Sequence, residues 1–279
     1  MRTLFLPVAV AMLAAACPAQ AQETPRDCAA ASVKQDKALL TGKRFTVEVT
    51  GTGPDVVLIP GLSTPRDVWA DTVAALAGCY TVHSVQIRGF GDDAGANADG
   101  PVLGPFVAEL ADYIDDEIMN KGRAAPAIIG HSLGGLSALM IGARSPQVAG
   151  RIMVVDALPF FGTVMGAPDV AAVRPQVEAM AAAVRGRYRA DAPPPVMIDC
   201  DDPAEAAKVR SIWSITPRGR CLVENWGRRS DARVSAQAMQ DDATTDMRGE
   251  LDRIAAPVTL LFAQDDSVMP EAMMRDLYT

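Results

Sequence analysis

The residues of this chain whose types and spacing could do chemistry stand together at Gly130-His131-Ser132-Leu133-Gly134. Ala127-Ile128-Ile129 leads into them as a short apolar strand, and residues 133–144 continue from them with helical spacing. A serine hydroxyl attacks a carbonyl when a base takes its proton and main-chain N–H groups hold the charge that develops on the carbonyl oxygen. A sharp strand-to-helix bend meets the second need. It strains the backbone of Ser132 and aims the unpaired N–H groups of the helix N-terminus at whatever the hydroxyl attacks. Glycine two residues to either side, Gly130 and Gly134, removes the side chains that would collide with adjacent strands. As a bare pattern G-x-S-x-G is weak, and the competing reading is a glycine-rich turn with an incidental serine. Position favours the catalytic reading: strand before, helix after, in an alternating series.

That series sets the fold class. Phe45–Thr50 alternates apolar and polar residues, Gly51–Pro54 is a turn, and Val56–Ile59 is a continuous apolar run of the kind covered on both faces. Residues 64–78 carry helical spacing through Val68, Trp69, Val73 and Leu76, and Tyr80–Ile87 is the next strand. Phe106–Met119 reads as an amphipathic helix and Arg151–Val155 as a strand. Strands alternating with helices of this length predict an α/β fold, a mostly parallel sheet with helices on both faces. The rhythm breaks after Asp156 and resumes at Val258–Phe262. The chain therefore divides into a polar, irregular arm over 22–43, a core over 44–157 and 247–279, and an inserted helical cap over 158–246. Phe160, Phe161, Trp213 and Trp226 in the cap line an apolar acyl pocket or merely attach the cap, while Arg185, Arg187 and Arg189 read as a solvated face.

From about residue 45 onward the chain resembles the α/β-hydrolase family, of the serine esterase, lipase or peptidase type with a helical cap. Val57-Leu58-Ile59-Pro60-Gly61-Leu62 resembles the family's oxyanion loop, with Pro60 where histidine is usual, and Arg88-Gly89-Phe90-Gly91 resembles the turn after the next strand. The resemblance implies that the cap follows the sixth strand, and that Leu62 and Leu133 supply the two main-chain oxyanion donors. It places the catalytic acid at Asp266 in Ala263-Gln264-Asp265-Asp266-Ser267-Val268-Met269-Pro270, with Asp265 its neighbour and Asp156 the position used by relatives whose acid comes one strand earlier. The implied base is a histidine after one more strand and helix, yet the chain stops thirteen residues past Asp266 and holds two histidines, His83 and His131. His83 lies mid-strand, where a buried structural role is expected, and His131 precedes the nucleophile and points away from its attack face. The expectation is a chain cut short before its base, lacking a C-terminal strand and helix. The resemblance thus implies acyl transfer to Ser132 from a small-molecule carboxylic ester or related carbonyl substrate, with no cofactor. The alternative is a non-catalytic relative that binds a small apolar ligand.

Composition supplies the address. Arg2, the apolar run Leu4–Cys17 and the small-residue signal Ala19-Gln20-Ala21 read as a signal peptide over 1–21, too short to span a bilayer comfortably. Lipid attachment at Cys17 is the less favoured reading of the same segment. An exported, periplasmic or secreted protein is expected, with no stable membrane span after cleavage. Four cysteines remain, and an even count in an oxidising compartment suggests two disulfides. Proximity favours Cys200–Cys221 and leaves Cys28–Cys79. No Cys and His grouping has the spacing of a metal site. A net charge of −8 with scattered cations argues against nucleic-acid binding. Oligomeric state is not legible.

Overall fold

The computed structural model describes residues 28, 38–211, 214, 216–262 and 270–278. Residues 1–21, expected as a signal segment and holding Cys17, lie outside the described residues, as do Trp213, Asp265 and Asp266. Among the described residues seven strands form one sheet: β1 (Ala38–Thr41), β2 (Phe45–Thr50), β3 (Asp55–Ile59), β4 (Thr81–Ile87), β5 (Ala127–His131), β6 (Arg151–Val155) and β7 (Val258–Leu261). Their order is β1-β2-β4-β3-β5-β6-β7. β1 and β2 pair antiparallel, as do β2 and β4, and every later pairing is parallel.

The continuous apolar runs are explained by two-sided burial. On β3, Val57 and Ile59 enter the larger core, packed under α2 (Leu103–Glu117) and α3 (Leu133–Arg144), while Val56 and Leu58 face α1 (Ala70–Leu76) across the sheet. β5 divides likewise, Ile128 to the larger core and Ala127 and Ile129 to the other side. Alternate residues of a strand point to opposite faces, so a strand covered twice shows no polar alternation.

Of the boundaries that differ from the sequence expectation, two show their cause. The arm, expected to be irregular through residue 43, ends in β1, where Ala38–Thr41 pairs with Thr46–Val49 and so satisfies its backbone in the sheet. The amphipathic helix expected over Phe106–Met119 begins at Leu103 and ends at Glu117, with a 3-10 turn over Met119–Lys121. Its early start has a distant cause: Asp241 Oδ2 accepts from Val102 N–H at 2.6 Å and Leu103 N–H at 2.9 Å. A cap supplied from 138 residues away leaves no local signal.

Residues 158–246, expected to form the cap, hold four α-helices, α4 (Val170–Arg185), α5 (Pro203–Ala206), α6 (Pro217–Arg229) and α7 (Ala232–Thr244), and no strand among those described. Asp169, Thr216 and Asp231 cap α4, α6 and α7 through their side chains. Cys200 is bonded to Cys221 on α6, and Cys28 to Cys79, the pairing that proximity favours. The first bridge closes a loop of 21 residues, a size for which loss costs roughly 3 kcal/mol. Replacing both Cys200 and Cys221 with serine is expected to lower stability by about that amount in urea titrations followed by circular dichroism. No described helix is long and apolar enough to cross a membrane. The last helix, α8 (Glu271–Leu277), docks Met274 against Leu158.

Candidate active site

The parallel strands end at one edge, and the site is built there. Ser132 follows β5 directly and caps α3 at φ 52° and ψ −124°, a conformation that L-residues avoid. Its N–H still belongs to the sheet, donating to Val155 O at 2.9 Å, while its carbonyl accepts from Gly135 N–H at 2.7 Å and begins the helix. The hydroxyl is thus perched between two hydrogen-bonding patterns that fix the backbone on each side.

The flanking glycines are required by contact. A Cβ on Gly130 would lie 2.0 Å from Gly134 O, and one on Gly134 would lie 2.3 Å from Ile59 O. Gly61 passes close to the bend as well: a Cβ there would come within 3.3 Å of Ser132 Cβ and 3.0 Å of His131 Nδ1. The loop after β3 therefore passes close to Ser132, and the start of α3 packs against both that loop and Gly130. Leu62 comes next on that loop and Leu133 opens the helix. Among the described residues neither Leu62 N–H nor Leu133 N–H has an acceptor, as the first turn of a helix requires for Leu133.

Three non-glycine residues among those described have positive φ: Ser63, Ser132 and Asp156, each between 51° and 52°. All three stand just beyond the carboxyl ends of neighbouring strands β3, β5 and β6. Strain of this kind persists only where surrounding structure enforces it, and it gathers at functional sites. Asp156 follows Val155, the residue that accepts from Ser132, and donates its own N–H to Leu261 O at 2.7 Å. The structure therefore brings Ser132, Leu62, Leu133 and Asp156 to one edge.

Ser63 was not singled out by sequence, where it is one serine after the Gly61-Leu62 turn. Its hydroxyl meets Ser235 Oγ of α7 at 2.8 Å, and its carbonyl accepts from Ser230 Oγ at 3.3 Å. These bonds tie the loop carrying Leu62 to the cap, and no pattern in the sequence announces them.

Of the two histidines, His83 is buried and His131 half-buried. His83, mid-β4, has Nδ1 2.7 Å from Tyr113 Oη and Nε2 2.7 Å from Asp55 Oδ1, and Arg123 Nη1 donates to the same oxygen at 2.6 Å. Asp55 opens β3 at the amino end of the sheet, opposite Ser132. Burial holds the His83 pKa below its ordinary 6.5, against the raising effect of Asp55. The folded state thus keeps the ring neutral where the unfolded chain takes up a proton, so His83 contributes stability that is lost as pH falls below 6.5. The stability advantage of wild type over His83→Gln is expected to shrink below that pH, by up to about 1.4 kcal/mol per pH unit, in denaturation curves at stepped pH. His131 is also kept neutral by burial, and its Nδ1 has no hydrogen-bond partner.

The model of the alpha/beta hydrolase family matches residues 56–278. A pimeloyl-[acyl-carrier protein] methyl ester esterase of Xanthomonas axonopodis pv. citri is 30% identical over 240 residues, covering 82% of this chain and 83% of that protein. The esterase of the same name from Vibrio campbellii is 32% identical over 111 residues, 40% of each chain. The chain thus spans about two fifths of that relative. Among solved structures, E-2-(acetamidomethylene)succinate hydrolase shares the fold with a TM-score of 0.62 at 16% identity, over 87% of this chain and 86% of that one.

Proposed function

The chain belongs to the alpha/beta hydrolase family, and from that premise we propose that it is an exported carboxylic-ester hydrolase whose nucleophile is Ser132. The observation that carries the reading is the strained bend: a serine at φ 52° where strand becomes helix, approached by Gly61 and flanked by glycines that leave no room for a Cβ. The methyl ester esterase activity in the names of the Xanthomonas and Vibrio relatives supports an ester. The leader over 1–21 and the two disulfides support export.

In this mechanism Ser132 Oγ attacks the ester carbon and its proton passes to a general base. The resulting oxyanion accepts from the main-chain N–H groups of Leu62 and Leu133. Collapse expels the alcohol, which receives the proton, and leaves an acyl-serine that water hydrolyses. The acid that orients the base is Asp266, by its match to the family pattern. Asp156 is the alternative, supported by its place beside Ser132, and Asp265 is the next to test. Neither histidine of the chain is read as the base: His83 is held by Tyr113 and Asp55, and His131 is half-buried with its Nδ1 against Gly61.

The test is turnover of p-nitrophenyl butyrate by the 279-residue protein with and without added imidazole. Slow turnover that imidazole raises at least about tenfold, by standing in for the base, is the expected result. The rise must vanish in Ser132→Ala, measured beside the same imidazole blank. An imidazole effect unchanged in Ser132→Ala would overturn the reading.

A further inference from the structure

A cavity of about 1100 Å³ lies between the cap and the loop that follows β3. Leu62, the proposed oxyanion donor, and Ser63 are among the residues that line it. Val184 of α4, Val223 of α6 and Met239 of α7 give it apolar walls. The remaining lining is unusual for a chain of net charge −8. Four arginines reach the cavity, Arg187, Arg210, Arg220 and Arg228, and one acid, Glu224. Arg187, expected from sequence to belong to a solvated face, is one of them.

The four are not equivalent. Arg228 is engaged, with Nε donating to Glu224 Oε1 at 2.9 Å and Nη1 to Val196 O at 3.0 Å. Arg220 Nε donates to Val209 O at 3.3 Å. Among the described residues, Arg187 and Arg210 have neither an ion pair nor a side-chain hydrogen bond, although both line the cavity. Glu224 is already spent on Arg228, so the cavity carries uncompensated positive charge. A cleft with low-dielectric walls focuses such a field on what enters it, and guanidinium forks match the paired oxygens of a carboxylate or phosphate.

We propose that this cavity selects esters carrying an anionic group, a carboxylate or a phosphate, away from the scissile bond, with Arg187 and Arg210 as its counter-charges. This rests on the hydrolase reading, since it places the ester carbonyl at Leu62. The apolar walls then accept the carbon chain between the two ends. Because Arg187 and Arg210 are exposed at the rim, they act on affinity more than on chemistry, and their loss raises KM with kcat little changed.

The test is binding, scored apart from turnover. The full chain is titrated calorimetrically with three amides that resist hydrolysis: N-butylglutaramate with its terminal carboxylate, the same skeleton ending in phosphate, and neutral N-butylpentanamide. At least one anionic amide is expected to bind about tenfold more tightly than the neutral one, as a charged hydrogen-bonded contact provides. The tighter of the two identifies which anion the site takes. Arg187→Ala with Arg210→Ala should bring all three within about threefold at unchanged melting temperature, whereas Ser132→Ala should keep the preference. Equal affinities, no binding by any amide, or a preference that survives the double substitution would each overturn the proposal. Ester turnover that persists in Ser132→Ala would instead defeat the hydrolase reading and leave the measured preference standing.

Discussion

Gly130→Ala is expected to yield no folded protein, or to cost at least about 3 kcal/mol of stability. One methyl group is added, but it has nowhere to go. Its carbon would sit 2.0 Å from Gly134 O, 2.3 Å from Gly134 C and 2.6 Å from Gly135 N, all backbone atoms of the turn itself. A side chain can rotate out of such a clash; a hydrogen-bonded helix start cannot, because Gly135 N–H is already held by Ser132 O. Gly104→Ala is the control. Gly104 lies within α2 with nothing within 4 Å of an added Cβ, so the same chemical change there should stabilise by about 0.5–1 kcal/mol. Urea denaturation of the two variants is the measurement, and opposite signs are the expected result. Gly130→Ala folding with wild-type stability would mean that the bend has far more room than the contacts allow.

At Ser132, activity and stability are expected to move in opposite directions. Ser132→Gly should remove the imidazole-dependent ester turnover, a fall of at least about tenfold that returns the rate to that of the imidazole blank. The same substitution should raise stability by about 1 kcal/mol. A strained non-glycine backbone costs about 1–3 kcal/mol, and the entropy that glycine loses on folding returns roughly 0.5–1 kcal/mol of that gain. Ser132→Ala should lose turnover equally but keep the strain, since its Cβ remains at φ 52°. The comparison separates a serine held in place for its hydroxyl from one tolerated in a turn. If glycine at 132 were neutral or destabilising, the backbone there would not be storing strain.

Much of this architecture was legible because its causes are local. Periodicity located β2 to β7, since buried strands and amphipathic helices have different repeats, and the elbow was legible because tight backbone approach permits glycine alone. What stayed hidden depends on contacts between distant residues. α2 begins at Leu103 only because Asp241 reaches it from the cap. Ser63 matters through Ser235, and Arg187 through a cavity formed by three cap helices. Asp156 was an alternative by resemblance, and its positive φ and its place next to the strand that receives Ser132 N–H are matters of geometry. Asp266 remains assigned by pattern alone.

The most direct measurement is peptide mapping by mass spectrometry after prolonged exposure of the 279-residue protein to a fluorophosphonate with imidazole present. A single adduct on the peptide that carries Ser132, absent in Ser132→Ala, is the result this mechanism requires. Modification at Ser63 or another serine, with the Ser132 peptide untouched, would contradict it.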